Sequence, residues 1–261
     1  MKIDILTLFP EMFVPVTESS MLGRACDKGI LDIRLTDIRD YTLDKHNRTD
    51  EYPFGGGTGM VLQAEPVFRA IEAVTGVSGA DWKEKGNRKC IYMSPRGKIL
   101  DRQKIEELSK EEELMILCGH YEGVDQRILD QFDMEEISIG DFVLTGGELP
   151  AMVLIDSVAR FIPGVLGDSE GITDESVYSG LLEYDQYTKP REYAGLAVPE
   201  VLYGGNHKEI ALWKFERSLQ ITKERRPDLF QAYLESHGDL SKDEQKILDK
   251  YTDKKTLSGT K

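Results

Sequence analysis

An open, mostly parallel α/β domain followed by a smaller, mainly helical domain is predicted by three observations. Short apolar runs alternate with helical periodicity from Met1 to Ile162. The runs at Cys90–Met93, Leu114–Leu117 and Glu136–Ile139 each lead into a turn rich in Gly, Pro or acid, which is how an α/β sheet gathers a ligand crevice at its carboxyl edge. Beyond Lys208 the pattern changes to helices alone.

Lys2–Leu8 alternates and reads as a first strand, its internal acid arguing against a signal peptide. Glu11–Lys28 is helical in character, broken near Pro15 and ended by Gly29. Ile30–Thr36 alternates again, completing a strand–helix–strand unit that favours parallel pairing through a right-handed crossover. The polar stretch Asp37–Pro53 is long for a connection inside a compact domain, which marks it as a lid. It closes at Phe54-Gly55-Gly56-Gly57-Thr58-Gly59-Met60, where four glycines in five positions let the backbone approach a ligand. Read alone, this is a flexible turn, because the Gly-Lys-Ser/Thr ending of a phosphate loop is missing.

Glu65–Thr75 reads as a helix with Pro66 in its first turn, and Val77–Lys89 as a surface excursion. Cys90–Met93 reads as a buried strand ending at Ser94-Pro95-Arg96-Gly97, and Asp101 caps a helix to about Lys110. Leu114–Leu117, Val124–Phe132 and Glu136–Ile139 continue the alternation, and Gly147–Ile162 is helical until Pro163-Gly164. These readings divide the chain into a ligand-binding domain over 1–164, a flexible linker over 165–175 and a helical domain over 176–261. The last of these holds helices over Lys208–Arg225, Asp228–Ser236 and Ser241–Lys250, the first with an apolar stripe of Leu212, Trp213, Phe215, Leu219 and Ile221 assigned to core.

A chain with 40% hydrophobic and 31% charged residues is an ordinary globular protein. No apolar run approaches the roughly 20 residues that span a bilayer, so no membrane partner and a cytoplasmic location are expected. Cys26, Cys90 and Cys118 cannot all pair, and no second Cys or His stands at ligand spacing, so they read as small buried thiols. A net charge of -14 argues on its face against a nucleic-acid partner. Thr188–Arg226, however, carries eight bases against five acids, a local surface that either binds phosphates or is simply solvated.

Six segments, in this order, resemble the bacterial tRNA (guanine-N1)-methyltransferase family: Tyr52-Pro53-Phe54-Gly55-Gly56-Gly57-Thr58-Gly59-Met60, Met93-Ser94-Pro95-Arg96-Gly97, Cys118–Asp125, Ser138–Glu148, Asp156–Arg160 and Tyr187–Pro190. The likeness runs from Met1 to about Leu234. It implies an S-adenosylmethionine-dependent SPOUT-class enzyme that methylates N1 of the guanine at position 37 of tRNA, just 3′ of the anticodon. It also implies a C-terminal trefoil knot in the parallel-sheet domain, and a homodimer whose subunits share each active site. Magnesium is implied for catalysis, but no dedicated ligand cluster is legible, so no residue is assigned to a metal.

Carried over position by position, the resemblance assigns the methyl donor to Tyr92, Ser94, Pro95, Gly119, Tyr121, Glu122, Gly123, Ser138, Ile139, Gly140, Asp141, Phe142, Val143, Leu144, Gly146, Gly147 and Pro150. It assigns the RNA substrate to Gly55, Gly56, Gly57, Glu183, Lys189 and His207. Further phosphate contacts are expected from Arg24, Lys45, His46, Arg48, Arg191, Lys208, Lys214 and Arg217, with Tyr187 or Tyr193 stacking on a base.

The chemistry is consistent with this. A protonated guanine N1 is a poor nucleophile, so a carboxylate base must take its proton while a cation or donor steadies the charge that develops on O6. Arg160 matches the family's essential arginine and is assigned to O6. The family has Asp-Ser-Phe at the start of its second domain, where this chain has Asp174-Glu175-Ser176-Val177. Aligning the serines makes Glu175 the base, with Asp174 as the alternative. Thr58 stands where proline is common and His120 where arginine is common, and neither removes a group the mechanism requires. Two other readings remain open on sequence: a SPOUT enzyme acting on a ribose 2′-oxygen, and a regulatory protein whose loops bind a nucleotide or RNA without chemistry.

Overall fold

The computed structural model describes residues 1–86, 88–166 and 179–252. The chain divides into two compact units, Met1–Ser169 and Glu170–Lys261.

The first unit is built on a five-stranded, all-parallel sheet. Its strands are β1 (Lys2–Thr7), β2 (Asp32–Asp37), β5 (Lys89–Ile99), β6 (Glu113–Leu117) and β7 (Glu135–Ser138), in the order β2-β1-β6-β5-β7. Between β1 and β2 the helical stretch is broken as expected, but at Ser20, whose φ is 53°, rather than near Pro15: a turn of 3-10 helix at Pro10–Met12 is followed by α1 (Val14–Thr17) and α2 (Ser20–Asp27). The polar stretch after β2 is more ordered than a lid. Ile38 is fully buried in a 3-10 turn, and β3 (Asp50–Glu51) pairs antiparallel with β4 (Val61–Leu62), closing the glycine-rich loop between them.

Helix α3 (Ala64–Thr75) then leads to a segment expected to be a surface excursion. It contains α4 (Trp82–Lys85), and Trp82 packs edge-on against Phe132 at 5.1 Å with 6% of its surface exposed. Its charged flanks mask one core anchor. Strand β5 also runs past its predicted end. Both Met93 and Lys98 register with Ile137 of β7, so Ser94, Pro95, Arg96 and Gly97 loop out as a bulge within the strand.

Helix α5 (Arg102–Leu108) follows, capped by Asp101, whose carboxylate accepts from the Lys104 N–H at 2.9 Å. The unit is completed by α6 (Gln126–Phe132) and α7 (Glu148–Ala159). Alternation along the strands feeds two cores, one on each face. Ile3, Ile5, Ile91 and Ile116 pack with Leu22 of α2 and Leu154 and Val158 of α7, while Leu6, Met115 and Leu117 pack with Ile71 of α3 and Ile128 and Phe132 of α6. Val165 is buried in the first of these cores, so the unit extends at least that far. Of the predicted linker, residues from 167 onward lie outside the described residues.

The second unit carries a small hairpin of β8 (Glu192–Tyr193) and β9 (Leu196–Ala197), then α8 (His207–Arg225), α9 (Pro227–Ser236) and α10 (Lys242–Thr252). Leu181, Leu219, Phe230, Ile247 and Leu248 form its core. Asn206 caps α8 through the Lys208 and Glu209 N–H groups. Trp213, read from sequence as core, is half-buried and set between Tyr184 and Tyr187, at ring distances of 6.5 and 6.4 Å. Among the described residues no helix is long and apolar enough to cross a membrane, and all three cysteines are unpaired.

Candidate active site

Strands β6, β5 and β7 are neighbours, so the chain segments that follow them converge on one edge of the sheet. They enclose a cavity of about 190 Å³. Sixteen of the seventeen donor residues named from sequence line it: Tyr92, Ser94 and Pro95 from the β5 bulge, Gly119, Tyr121, Glu122 and Gly123 after β6, and Ser138, Ile139, Gly140, Phe142, Val143, Leu144, Gly146, Gly147 and Pro150 between β7 and α7. The exception is Asp141, which is exposed and does not line the cavity. Met93, His120, Ile137 and Thr145 also line it. Met93 and Ile137 lie in the apolar runs read as strands, while the signal at His120 and Thr145 is adjacency to Gly119 and Gly146.

Each turn is shaped by its own residues. After β6, Tyr121 takes a φ of 60° and Gly123 one of 133°, and the Gly123 N–H donates to the His120 carbonyl at 3.2 Å. After β7, the Gly140 N–H donates to Ser138 Oγ at 3.1 Å, and the Phe142 N–H donates to the Gly140 carbonyl at 2.9 Å. The two turns meet where the Gly147 N–H donates to the Gly119 carbonyl at 2.8 Å. A Cβ on Gly147 would lie 2.8 Å from the Gly119 nitrogen, so only glycine permits this approach.

The electrostatics are mixed. Arg96 in the β5 bulge forks onto Glu136 at 2.6 and 3.1 Å, and this hydrogen bonding holds the Glu136 carboxyl below its usual range. Burial pushes the Tyr92 hydroxyl up, which keeps it neutral. Glu122 is exposed, its N–H donates to the Met60 carbonyl at 3.0 Å, and its side chain lies against Gly59. The glycine-rich loop is thereby drawn to the cavity acid. Gly55, Gly56 and Gly57 are exposed in that loop with φ of 90°, 79° and 130°.

Arg160 is not brought to this cavity. It is half-buried at the end of α7 opposite Gly147, roughly 18 Å along a helix of this length. Glu175 and Asp174 lie outside the described residues. In the second unit Glu183, Lys189 and His207 are exposed, and the Glu183 carboxylate accepts from Gln186 Nε2 at 2.8 Å. Of the other nominated cations, Arg48 pairs with Asp44 at 2.9 Å, Lys208 with Asp243 at 2.6 Å, and Arg217 with Asp185. Lys214 sits over Tyr184 at 4.5 Å and Arg191 over Tyr203 at 4.2 Å. Among the described residues no group of three or more His, Cys, Asp or Glu stands together to hold a metal ion.

The family described as tRNA (Guanine-1)-methyltransferase TrmD matches residues 1–232. A tRNA (guanine-N(1)-)-methyltransferase of Clostridium perfringens is 53% identical over 248 residues, covering 95% of this chain and 99% of that protein. The protein of the same name from Ruminiclostridium cellulolyticum is 53% identical over 230 residues, covering 88% and 96%. That of Clostridium botulinum is 49% identical over 254 residues, covering 97% and 100%. With its turns gathered at the sheet edge and a match that leaves no part of the sheet domain uncovered, the chain belongs to the tRNA (guanine-N1)-methyltransferase family.

Proposed function

We propose that the chain transfers the methyl group of S-adenosylmethionine to N1 of the guanine at position 37 of tRNA, in the cytoplasm and as a homodimer. The observation that carries this reading, beside the family membership, is the cavity built from the turns after β5, β6 and β7. The donor supplies an electrophilic methyl on its sulfonium, so the protein has to bind, align and deprotonate. Backbone groups of Ile139–Leu144 would hydrogen-bond the donor's adenine edge and ribose, and an acid such as Glu122 would face its cationic end. Glu175 takes the N1 proton, with Asp174 the alternative, and Arg160 steadies the charge on O6.

The homodimer reading is supported by the place of Arg160. A group needed for the chemistry but far from the cavity of its own chain can serve the cavity of a second copy. Leu149 and Val153, one turn apart on α7, are 52% and 46% exposed, and Phe142 and Val143 beside the cavity are 54% and 82% exposed. A trefoil knot in the first unit is supported by the return of the chain after β7 onto the turn after β6, at the Gly147–Gly119 contact. We assign the first unit, carried through Val165 by its place in the core, to donor binding, the stretch after it to a linker and 176–261 to tRNA. Magnesium enters this reading as a weakly held ion near the donor or tRNA, bound by one or two carboxylates, since among the described residues no group of three or more His, Cys, Asp or Glu stands together.

The test is methyl transfer from labelled S-adenosylmethionine to an unmodified tRNA transcript with guanine at position 37, comparing wild type with Glu175→Gln and Asp174→Asn. Labelling of that guanine, abolished by Glu175→Gln alone, is expected. A wild type that binds the donor and never labels the guanine overturns the reading in favour of a binding protein.

A further inference from the structure

Glu148 is a carboxylate with 2% of its surface exposed. Burying such a group is unfavourable unless partners replace the lost water. It sits in the first turn of α7 between Gly147 and Pro150, both of which line the donor cavity, yet it does not line the cavity itself. Its Oε1 accepts a hydrogen bond from Thr7 Oγ1 at 2.8 Å, at the carboxyl end of β1 and 141 residues earlier in the chain. The same Thr7 hydroxyl accepts from the Phe9 N–H at 3.0 Å.

On the other side of the carboxylate is Gly146. A Cβ there would meet Glu148 Oε2 at 2.3 Å and His120 Nδ1 at 2.9 Å, so carboxylate and imidazole converge on the same backbone point. His120 Nδ1 is buried and has no hydrogen-bond partner among the described residues. The imidazole is held by Phe9, at a ring distance of 5.1 Å, and by Tyr121 at 5.0 Å. The side chains of Thr7, Phe9, His120 and Glu148 thus form one polar and aromatic cluster beside the cavity, packed against the Gly146 backbone. It joins β1 to the two turns that meet at Gly147 and Gly119.

We propose that Glu148 is a positioning residue for the methyl donor, acting through His120 and Gly146; the proposal rests on the methyltransferase reading above. His120 opens the turn that presents Tyr121 and Glu122, and because carboxylate and ring both close on Gly146, a carboxylate held in place leaves the ring little room to turn. Fixing the ring fixes that turn before the donor arrives, so less ordering is left to be done on binding. Thr7 holds the carboxylate at the correct depth.

The experiment compares wild type with Glu148→Gln, Thr7→Val, His120→Asn and the double variant Glu148→Gln/His120→Asn. Donor KM, tRNA KM, kcat, binding of S-adenosylhomocysteine and Tm are measured for each. Glu148→Gln is expected to raise the donor KM roughly tenfold, with tRNA KM unchanged and kcat within about threefold. The double variant is expected to be no worse than the weaker single variant, because both substitutions disable one couple. A lowered Tm with an unchanged donor KM would make Glu148 a purely structural anchor and overturn the proposal, as would effects that multiply in the double variant. Should Glu148→Gln fail to fold, Thr7→Val carries the test: a raised donor KM supports the couple and an unchanged one overturns it. A wild type that does not bind S-adenosylhomocysteine overturns the enzymatic reading itself, and this proposal with it.

Discussion

Gly119 lies so close beneath Tyr92 that a Cβ at position 119 would meet the ring hydroxyl at 2.7 Å. Tyr92 is 8% exposed and forms a wall of the cavity, so it has little room to retreat. Gly119→Ala should therefore cost about 1–3 kcal/mol of stability by overpacking. On the donor-binding reading it should also weaken binding of S-adenosylhomocysteine by roughly tenfold or more, since the displaced ring enters the cavity. Calorimetric titration alongside thermal melting checks both, and full-strength binding by Gly119→Ala would show that the ring swings clear.

Arg160 and the cavity stand at opposite ends of α7. Arg160→Ala is expected to lower kcat by roughly 100-fold or more while leaving donor affinity within about twofold, the pattern of a group that acts only on the transition state. Mixed dimers sharpen the point. Combining Arg160→Ala with Glu122→Ala, each inactive alone, should restore activity if the arginine serves the partner's cavity. No recovery on mixing would place each whole site in one chain.

The outward face of α7 offers a second check. Leu149 and Val153 are apolar and exposed on a helix whose other face is core. Leu149→Asp with Val153→Glu should convert the protein to monomers by light scattering, abolish methyl transfer, and change stability at low concentration little, because neither side chain is buried in the isolated chain. A double variant that still elutes as a dimer would place the interface elsewhere.

Two thiols report on the core. Burial pushes Cys90 up to about 12, and burial together with the charge of Glu148 pushes Cys118 well above the ordinary thiol range. At pH 8 a thiol reagent should label Cys26 first and reach Cys90 and Cys118 only on unfolding. A thiol whose folded pKa is raised favours the folded state fully below the unfolded value, and that contribution fades as pH rises through the folded value. Unfolding free energy should accordingly fall as pH climbs from about 8.5, the unfolded thiol value, towards 12. Cys90→Ala should flatten part of that slope in denaturant melts.

Much of the site was legible because its constraints are local. A turn that brings backbone close to a ligand needs glycine, proline or a residue tolerant of positive φ, and Gly119, Gly123, Gly140 and Gly147 announce those turns in one dimension. Parallel strands buried on both faces read as short apolar runs, so β1, β6 and the start of β5 could be placed from composition alone. Other features depend on what a segment meets. Trp82 sits in a polar, charged stretch and is core only because Phe132 arrives beside it. Asp141 shares a loop with cavity-lining residues, yet the backbone reversal after Gly140 leaves it outside the cavity. The convergence of Thr7, His120 and Glu148 could not be read from spacing, since 141 residues separate the two ends of one hydrogen bond. Sequence by itself determined the existence of the five sheet strands, the glycine-rich turns that follow three of them and the family. Only the tertiary structure decided which charges are buried together, because burial and electrostatic coupling are set by the neighbours that packing supplies.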